Sequence, residues 1–232
     1  MTRHIVWDWN GTLLDDFGAC LAAVNHAVAD YGIAVSAQTY HRCFTRPLHV
    51  HYARLIGRDL RAGEYDGLAR RWADAYTRLV PSTRLREHAE DVLEAVATAG
   101  CSQSLLSLWD DHALRLEIRR RGLGRWFRLA EGATADAQKK GPLLAAHLER
   151  LGAGSRPVVL VGDSEDDAVA AAGVGIDCVL VTSGYQPRET LMATGFPVVG
   201  DLVEAHRIAC GNVRSAPTCG LAVPSMRKGD TQ

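Results

Sequence analysis

The feature that most limits what this chain can become is a pair of apolar runs, far apart, that each end on a carboxylate. The first is His4-Ile5-Val6-Trp7-Asp8-Trp9-Asn10-Gly11-Thr12-Leu13-Leu14. It opens apolar and partly β-branched, as a buried strand does, and Asn10-Gly11 breaks it because both residues tolerate turn backbone angles. Asp8 is therefore expected at the carboxyl end of a strand, with Gly11 letting backbone amides approach a ligand. Read alone, Asp8 would serve equally well as a cap for the following helix. The second run, Val158-Val159-Leu160-Val161-Gly162-Asp163-Ser164-Glu165-Asp166-Asp167, repeats the arrangement. Open parallel sheets bind ligands at that edge, and two carboxylate-bearing edges suit a hard divalent ion such as Mg²⁺.

Asp8 to Leu13 resembles the first motif of the haloacid dehalogenase-like (HAD) hydrolases, Asp-x-Asp-Gly-Thr. Gly162 to Asp167 resembles their last, Gly-Asp-x-x-x-Asp. Both motifs in this order, with candidates for the others between them, make the resemblance specific, and the chain is similar to the phosphoglycolate-phosphatase-like members. The resemblance implies a doubly wound, Rossmann-like α/β core with an inserted helical cap. It also implies Mg²⁺-dependent hydrolysis of a small phosphate monoester through an aspartyl-phosphate. Sugar phosphates, phosphoglycolate-like acids and nucleoside monophosphates all stay open as substrates.

At 232 residues the chain can hold one large domain, or a core with a small insert. A formal net charge of −1 gives no electrostatic argument for nucleic acid or an anionic membrane. No apolar run approaches the ~18 residues of a membrane span, and Met1-Thr2-Arg3-His4 leads straight into a strand rather than a secretory signal. The six cysteines are scattered with no Cys-x-x-Cys pair, which favours a reducing cytoplasm. The expected partner is a small phosphorylated molecule, and the expected state is monomer or homodimer.

Helical spacing runs from Ala19 to Ala29 and from Tyr65 to Leu79, with a short helix over Gln38 to Cys43 and a bend at Pro47. No strand pattern appears between Asp15 and about Val80, so residues 16–80 fit the family's mobile cap. Residues 1–15 and 81–210 would form the core. There, helices alternate with strands over Cys101–Leu108, Trp126–Ala130, Pro157–Val161, Cys178–Val181 and Phe196–Val199, which argues for a parallel sheet covered on both faces. From residue 211 on, polar and Gly/Pro-rich sequence suggests a disordered tail.

Phosphoryl transfer needs a nucleophile, neutralisation of phosphate charge and help for the leaving group. The resemblance makes Asp8 the nucleophile and, with Asp163 and Asp167, a cation ligand; Asp167 acts through water or by holding the lysine. Ser107 matches the second motif, with Ser104 the alternative. Lys140 matches the third, chosen over Lys139 because Gly141-Pro142 follow as a helix start does. Thr12 belongs with the substrate contacts. Asn10 departs from the family: its place belongs to an Asp that protonates the leaving oxygen and later activates water. An amide cannot hold or release that proton, although this position binds metal through its backbone carbonyl. Three readings follow. The leaving group needs no proton, or His49 or His51 supplies it, or the protein is a weakly active or non-catalytic binding relative. Arg46, His49, His51 and Tyr52 are the expected substrate contacts from the cap; Trp7 and Trp9 read as packing.

Overall fold

The computed structural model describes residues 3–134, 139–152, 154 and 156–211. The first strand, β1 (His4–Trp7), is buried along its whole length, as expected of a strand covered on both faces. The chain then turns through β2 (Leu14–Asp15) into α1 (Phe17–Ala27), α2 (Ala37–Cys43), α3 (Leu48–Ile56) and α4 (Glu64–Leu79). It returns through β3 (Arg84–Leu85), which pairs antiparallel with β2 so that the helical block leaves and re-enters at one place. The Arg86–Asp15 ion pair, 2.9 Å, lies beside that junction. After it come α5 (Ala89–Thr98), β4 (Ser102–Asp110), α6 (Asp111–Arg120), β5 (Ala130–Ala133) and α7 (Lys140–Leu151). The remainder is β6 (Val158–Gly162), α8 (Glu165–Val174), β7 (Asp177–Val181), α9 (Arg188–Met192), β8 (Val198–Val199) and α10 (Leu202–Cys210).

The six longer-range strands form one parallel sheet in the order β5-β4-β1-β6-β7-β8. The register fixes the chemistry of its edge. Trp7 lies opposite Leu105 of β4 and Val161 of β6, so Asp8, Ser107 and Asp163 all emerge at the carboxyl end. Period-two alternation sends Ile5, Trp7 and Trp9 into one apolar layer and Val6 into the other. No described helix is long and apolar enough to cross a membrane.

Three expectations shift. The aromatic run at Trp126 is not a strand: Leu123–Trp126 is a 3-10 turn entered through Gly122 in the left-handed region, and β5 begins at Ala130. Its residues have low strand propensity, and the ladder to β4 holds them. Gly132 is required there, because a Cβ would lie 2.5 Å from the Asp111 Cα. Helices α3 and α10 also lie where no helix was expected. Cys20 and Cys178 are buried and no disulfide links the described cysteines; Cys219 and the expected tail beyond Gly211 fall outside the described residues.

On the Val6 side of the sheet a polar chain runs through the core. His147 Nδ1 lies 2.6 Å from Glu131, His147 Nε2 and His4 Nε2 each 2.8 Å from Ser104 Oγ, and His4 Nδ1 2.8 Å from Ser102 Oγ. One proton arrangement satisfies every group. Glu131 only accepts, so His147 donates from Nδ1 and accepts the Ser104 hydroxyl at Nε2; His4 then donates from Nε2 and accepts from Ser102. Burial lowers both imidazoles, His4 from 6.5 to about 4, with His147 adding to the effect there. For His147, burial outweighs the Glu131 carboxylate beside it. Native His4 thus stays neutral where the unfolded chain takes up a proton, so its contribution to stability is complete above pH 6.5 and lost toward pH 4. In urea titrations, the stability difference between wild type and His4→Gln should be constant above pH 7. It should shrink by on the order of 3 kcal/mol by pH 4; a pH-independent difference would show that His4 does not titrate this way.

Candidate active site

Asp8 leaves β1 at the start of a tight turn, in which Leu14 N donates to the Trp9 carbonyl at 2.9 Å and Gly11 adopts φ 77°. That conformation suits glycine alone, and a Cβ on Gly11 would lie 2.5 Å from Asp163 Oδ2. Asp163 stands just beyond β6, buried, taking the Thr12 hydroxyl at 3.2 Å and the Tyr185 amide at 2.8 Å. Asp167 sits in the first turn of α8, where it forms a reciprocal capping box with Ser164. Its other oxygen faces Lys140 Nζ, which also lies 2.6 Å from Asp8. Capping and site-building are therefore not alternatives at Asp167; each oxygen does one of them. Lys139 is exposed, whereas Lys140 opens α7 and is buried.

The cluster is short of positive charge. Oxygens of Asp8, Asp163 and Asp167 lie within 4.8 Å of one another, against one ammonium. Burial raises Asp8 to about 6, with Lys140 opposing and Asp167 adding. Burial, then Asp8 and Asp167, pushes Asp163 well above the usual carboxylate range. Burial alone would lower Lys140, but Asp167 and Asp8 hold it above its ordinary value. Three buried carboxylates are the donor chemistry a hard divalent cation takes, and an added charge of +2 would offset the shortfall. Gly184 keeps this space open, since a Cβ there would overlap the Asp163 carboxylate. Gly184→Ala should therefore push the Asp163 carboxylate aside and lower the thermal midpoint by several degrees in a calorimetric scan, from about 1–3 kcal/mol of overpacking. A midpoint equal to wild type would show that Asp163 does not need a glycine at this position.

Asn10 is held from both ends. Its Nδ2 donates to Asp16 Oδ2 at 2.9 Å and to the Tyr76 hydroxyl at 2.7 Å, and its Oδ1 accepts from Ser107 Oγ at 3.1 Å. Asp16 is the hub. It is fully buried and takes the Tyr76 hydroxyl at 2.5 Å, the Tyr185 hydroxyl at 2.6 Å and the Gly11 amide at 2.9 Å. The sequence marks Asp16 only as an acid starting a helix. It does occupy the N-cap of α1, yet its side chain caps nothing there and turns back to Asn10.

Over Asp8 lies a cavity of about 290 Å³ between sheet edge and helical block. Of the expected substrate contacts, Arg46, His51 and Tyr52 line it. Two do not. His49 is exposed on α3 with its ring against Tyr65, and Thr12 lies beneath the cavity against Asp163. His51 is poorly suited to give up a proton: burial lowers it to about 4, with the nearby Cys43 backbone opposing, so it is neutral. Sequence reasoning missed Asp16, Tyr76 and Tyr185, and also the ring walls of the cavity. The only signal in the chain was that the half-buried amide of Asn10 would need partners.

Residues 5–181 match the family model described as haloacid dehalogenase-like hydrolase. The chain is 27% identical over 198 residues to phosphoglycolate phosphatase 1 of Pseudomonas aeruginosa, covering 80% of this chain and 71% of that one. It is 30% identical over 194 residues to a phosphoglycolate phosphatase of Mesorhizobium japonicum, covering 79% and 84%. A haloacid dehalogenase-like family hydrolase from Streptococcus pneumoniae shares the fold, with a TM-score of 0.77 at 17% identity over 88% of this chain and 96% of that one. The two carboxylate-bearing strand ends, the buried lysine between them and a match over most of the length agree: this chain belongs to the haloacid dehalogenase-like hydrolases.

Proposed function

We propose that the chain hydrolyses a small phosphate monoester through an aspartyl-phosphate on Asp8, with Mg²⁺ held by Asp8, Asp163 and the Asn10 carbonyl, and Asp167 behind them. The observation that carries this reading is Asp8 itself: a buried carboxylate at the floor of the cavity, 2.6 Å from Lys140. Bound Mg²⁺ offsets the repulsion between the nucleophile and a phosphate dianion. Lys140 neutralises charge shared by Asp8 and the transferring group, and Asp167 keeps its ammonium in place. Ser107 reaches the same edge, where its hydroxyl can turn from Asn10 to a phosphate oxygen. Helices α1–α4 form the cap over the site, with Arg46, His51 and Tyr52 facing the leaving group. The relatives named phosphoglycolate phosphatase support the reaction class.

The test is phosphate release from a panel of esters in Mg²⁺ and in EDTA, with acid-quenched protein digested to locate bound phosphate. Mg²⁺-dependent release and a hydroxylamine-sensitive phosphoryl group on the Asp8 peptide are expected. Release no greater than that of Asp8→Asn would favour the non-catalytic binding reading instead.

A further inference from the structure

Resting on that hydrolase reading, we propose that the group expelled from phosphorus is a phenol: the substrate is an aryl phosphate whose ring seats among the aromatic side chains of the cavity. Three separate observations lead there.

The first is the wall. Tyr40, Phe44, Tyr52, Tyr65, Trp72 and Trp109 line the space above Asp8. Tyr40 and Phe44 stack at 5.5 Å and 19°, and Tyr52 and Tyr65 meet at 6.2 Å. Such surfaces receive a planar ring face-on or edge-on, with gains of about 0.5–1.5 kcal/mol per aromatic pair beyond burial. A sugar or a short hydroxy acid would need hydrogen bonds from the same walls. The hydroxyls of Tyr40 and Tyr185 already face Cys20 and Asp16, and Arg46 is the sole cationic side chain on the cap side of the cavity among the described residues.

The second is the fate of the departing oxygen. Expelling an alkoxide, whose conjugate acid is about as weak as water (pKa ~15.7), calls for a proton in the transition state. A phenol, with a pKa near 10 as in tyrosine, leaves as phenolate without one. Position 10 offers an amide whose two ends are tied to Asp16, Tyr76 and Ser107, and the Tyr185 hydroxyl is turned away to Asp16. Of the carboxyls that line the cavity beyond the aspartates around Lys140, Asp110 caps α6 and Asp166 takes the Lys140 amide, so among the described residues position 10 itself brings no acid to the leaving oxygen.

The third is His51. It is 1% exposed and lines the cavity, and neither ring nitrogen makes a hydrogen bond of good geometry, to the nearby Cys43 backbone or to any other described group. A buried polar group is rarely left unpaired. A ring substituent such as a hydroxyl or carbonyl would satisfy it, with the imidazole edge-on to Tyr40 at 5.0 Å.

The chemistry balances with water alone. An Asp8 oxygen bonds to phosphorus while the phosphorus–oxygen bond to the ring breaks and its electron pair stays on the phenolate. Water then attacks the same phosphorus, and the pair of the breaking acyl phosphate bond returns to Asp8. In sum, ArOPO₃²⁻ and H₂O give ArO⁻ and H₂PO₄⁻.

Two measurements on the full chain in Mg²⁺ test this. In calorimetric titration, phenylphosphonate should bind at least tenfold more tightly than ethylphosphonate, and Tyr65→Ala and Trp72→Leu should each shrink that advantage. In rapid-quench experiments, burst rates over ring-substituted phenyl phosphates should fall steeply as the phenol becomes less acidic. Phosphoglycolate and glucose 6-phosphate should lie at least about 10²-fold below phenyl phosphate, the usual size of missing acid catalysis. Equal phosphonate affinities, or a burst with phosphoglycolate or the sugar phosphate as fast as with phenyl phosphate, overturns the inference and leaves the hydrolase reading standing. No burst and no release from any ester overturns the hydrolase reading, and the inference with it.

Discussion

Asp8→Asn is expected to lower phosphate release by about 10⁴-fold or more, because an amide neither attacks phosphorus nor forms the acyl phosphate. Stability should move the opposite way. Asp8 shares a buried space with Asp163 and Asp167, and burial together with Asp167 works against its charge. Removing that charge relieves the crowding and leaves Lys140 paired with Asp167. In Mg²⁺-free buffer the variant's thermal midpoint should therefore equal or exceed that of wild type, as at other sites where function holds like charges together. A midpoint lower by several degrees would mean the Lys140–Asp8 pair outweighs the repulsion around it. Turnover near the wild-type rate would remove Asp8 as nucleophile.

The second large effect concerns Asn10. Restoring a carboxylate at this position looks from sequence like the way to regain acid catalysis. The structure puts Asp16 2.9 Å from the Asn10 amide, fully buried and met only by neutral donors. Asn10→Asp alone would set two carboxyls against each other, so the pair must retain a proton or bear the repulsion. We expect a loss of about 3 kcal/mol, or roughly 10 °C in thermal midpoint, with little gain in turnover. Adding Asp16→Asn exchanges the two groups. The amide introduced at position 16 keeps an oxygen for the Gly11 N–H and gives its NH₂ to the carboxylate introduced at position 10. The double variant should recover most of the stability, and hydrolysis of alkyl phosphates should rise about 10²-fold. If Asn10→Asp alone melts with wild type, Asp16 is not the partner that fixes Asn10.

Much of this site was legible in the chain because its parts follow local rules. A strand that stops at Asp8 before Asn10-Gly11, and another that stops at Gly162-Asp163, place their carboxylates by strand direction alone. Family membership then fixes that β1 and β6 are neighbours. Lys140 could be told from Lys139 because a helix start followed it. What stayed hidden depends on packing between distant segments. Asp16 carries the same local signal whether it caps α1 or turns back to Asn10, and only Tyr76 and Tyr185, 60 and 169 residues away, decide between them. Pro47 just before it, and two histidines and an arginine interleaved with the apolar residues of Leu48–Ile56, hid α3. At β5, an Ala-Glu-Gly-Ala stretch is a strand through its partner rather than its own preference.

The core chain of Ser104, His147 and Glu131 has a further implication. Hydroxyl to imidazole to carboxylate, at 2.8 and 2.6 Å, is the constellation with which serine hydrolases make an alkoxide-like nucleophile. Here the oxygen is also capped by His4, is wholly enclosed and does not border the cavity over Asp8. A fluorophosphonate reagent should leave Ser104 unlabelled in the native protein. Reactivity at such a constellation is conferred by an entrance, and this one has been sealed into masonry.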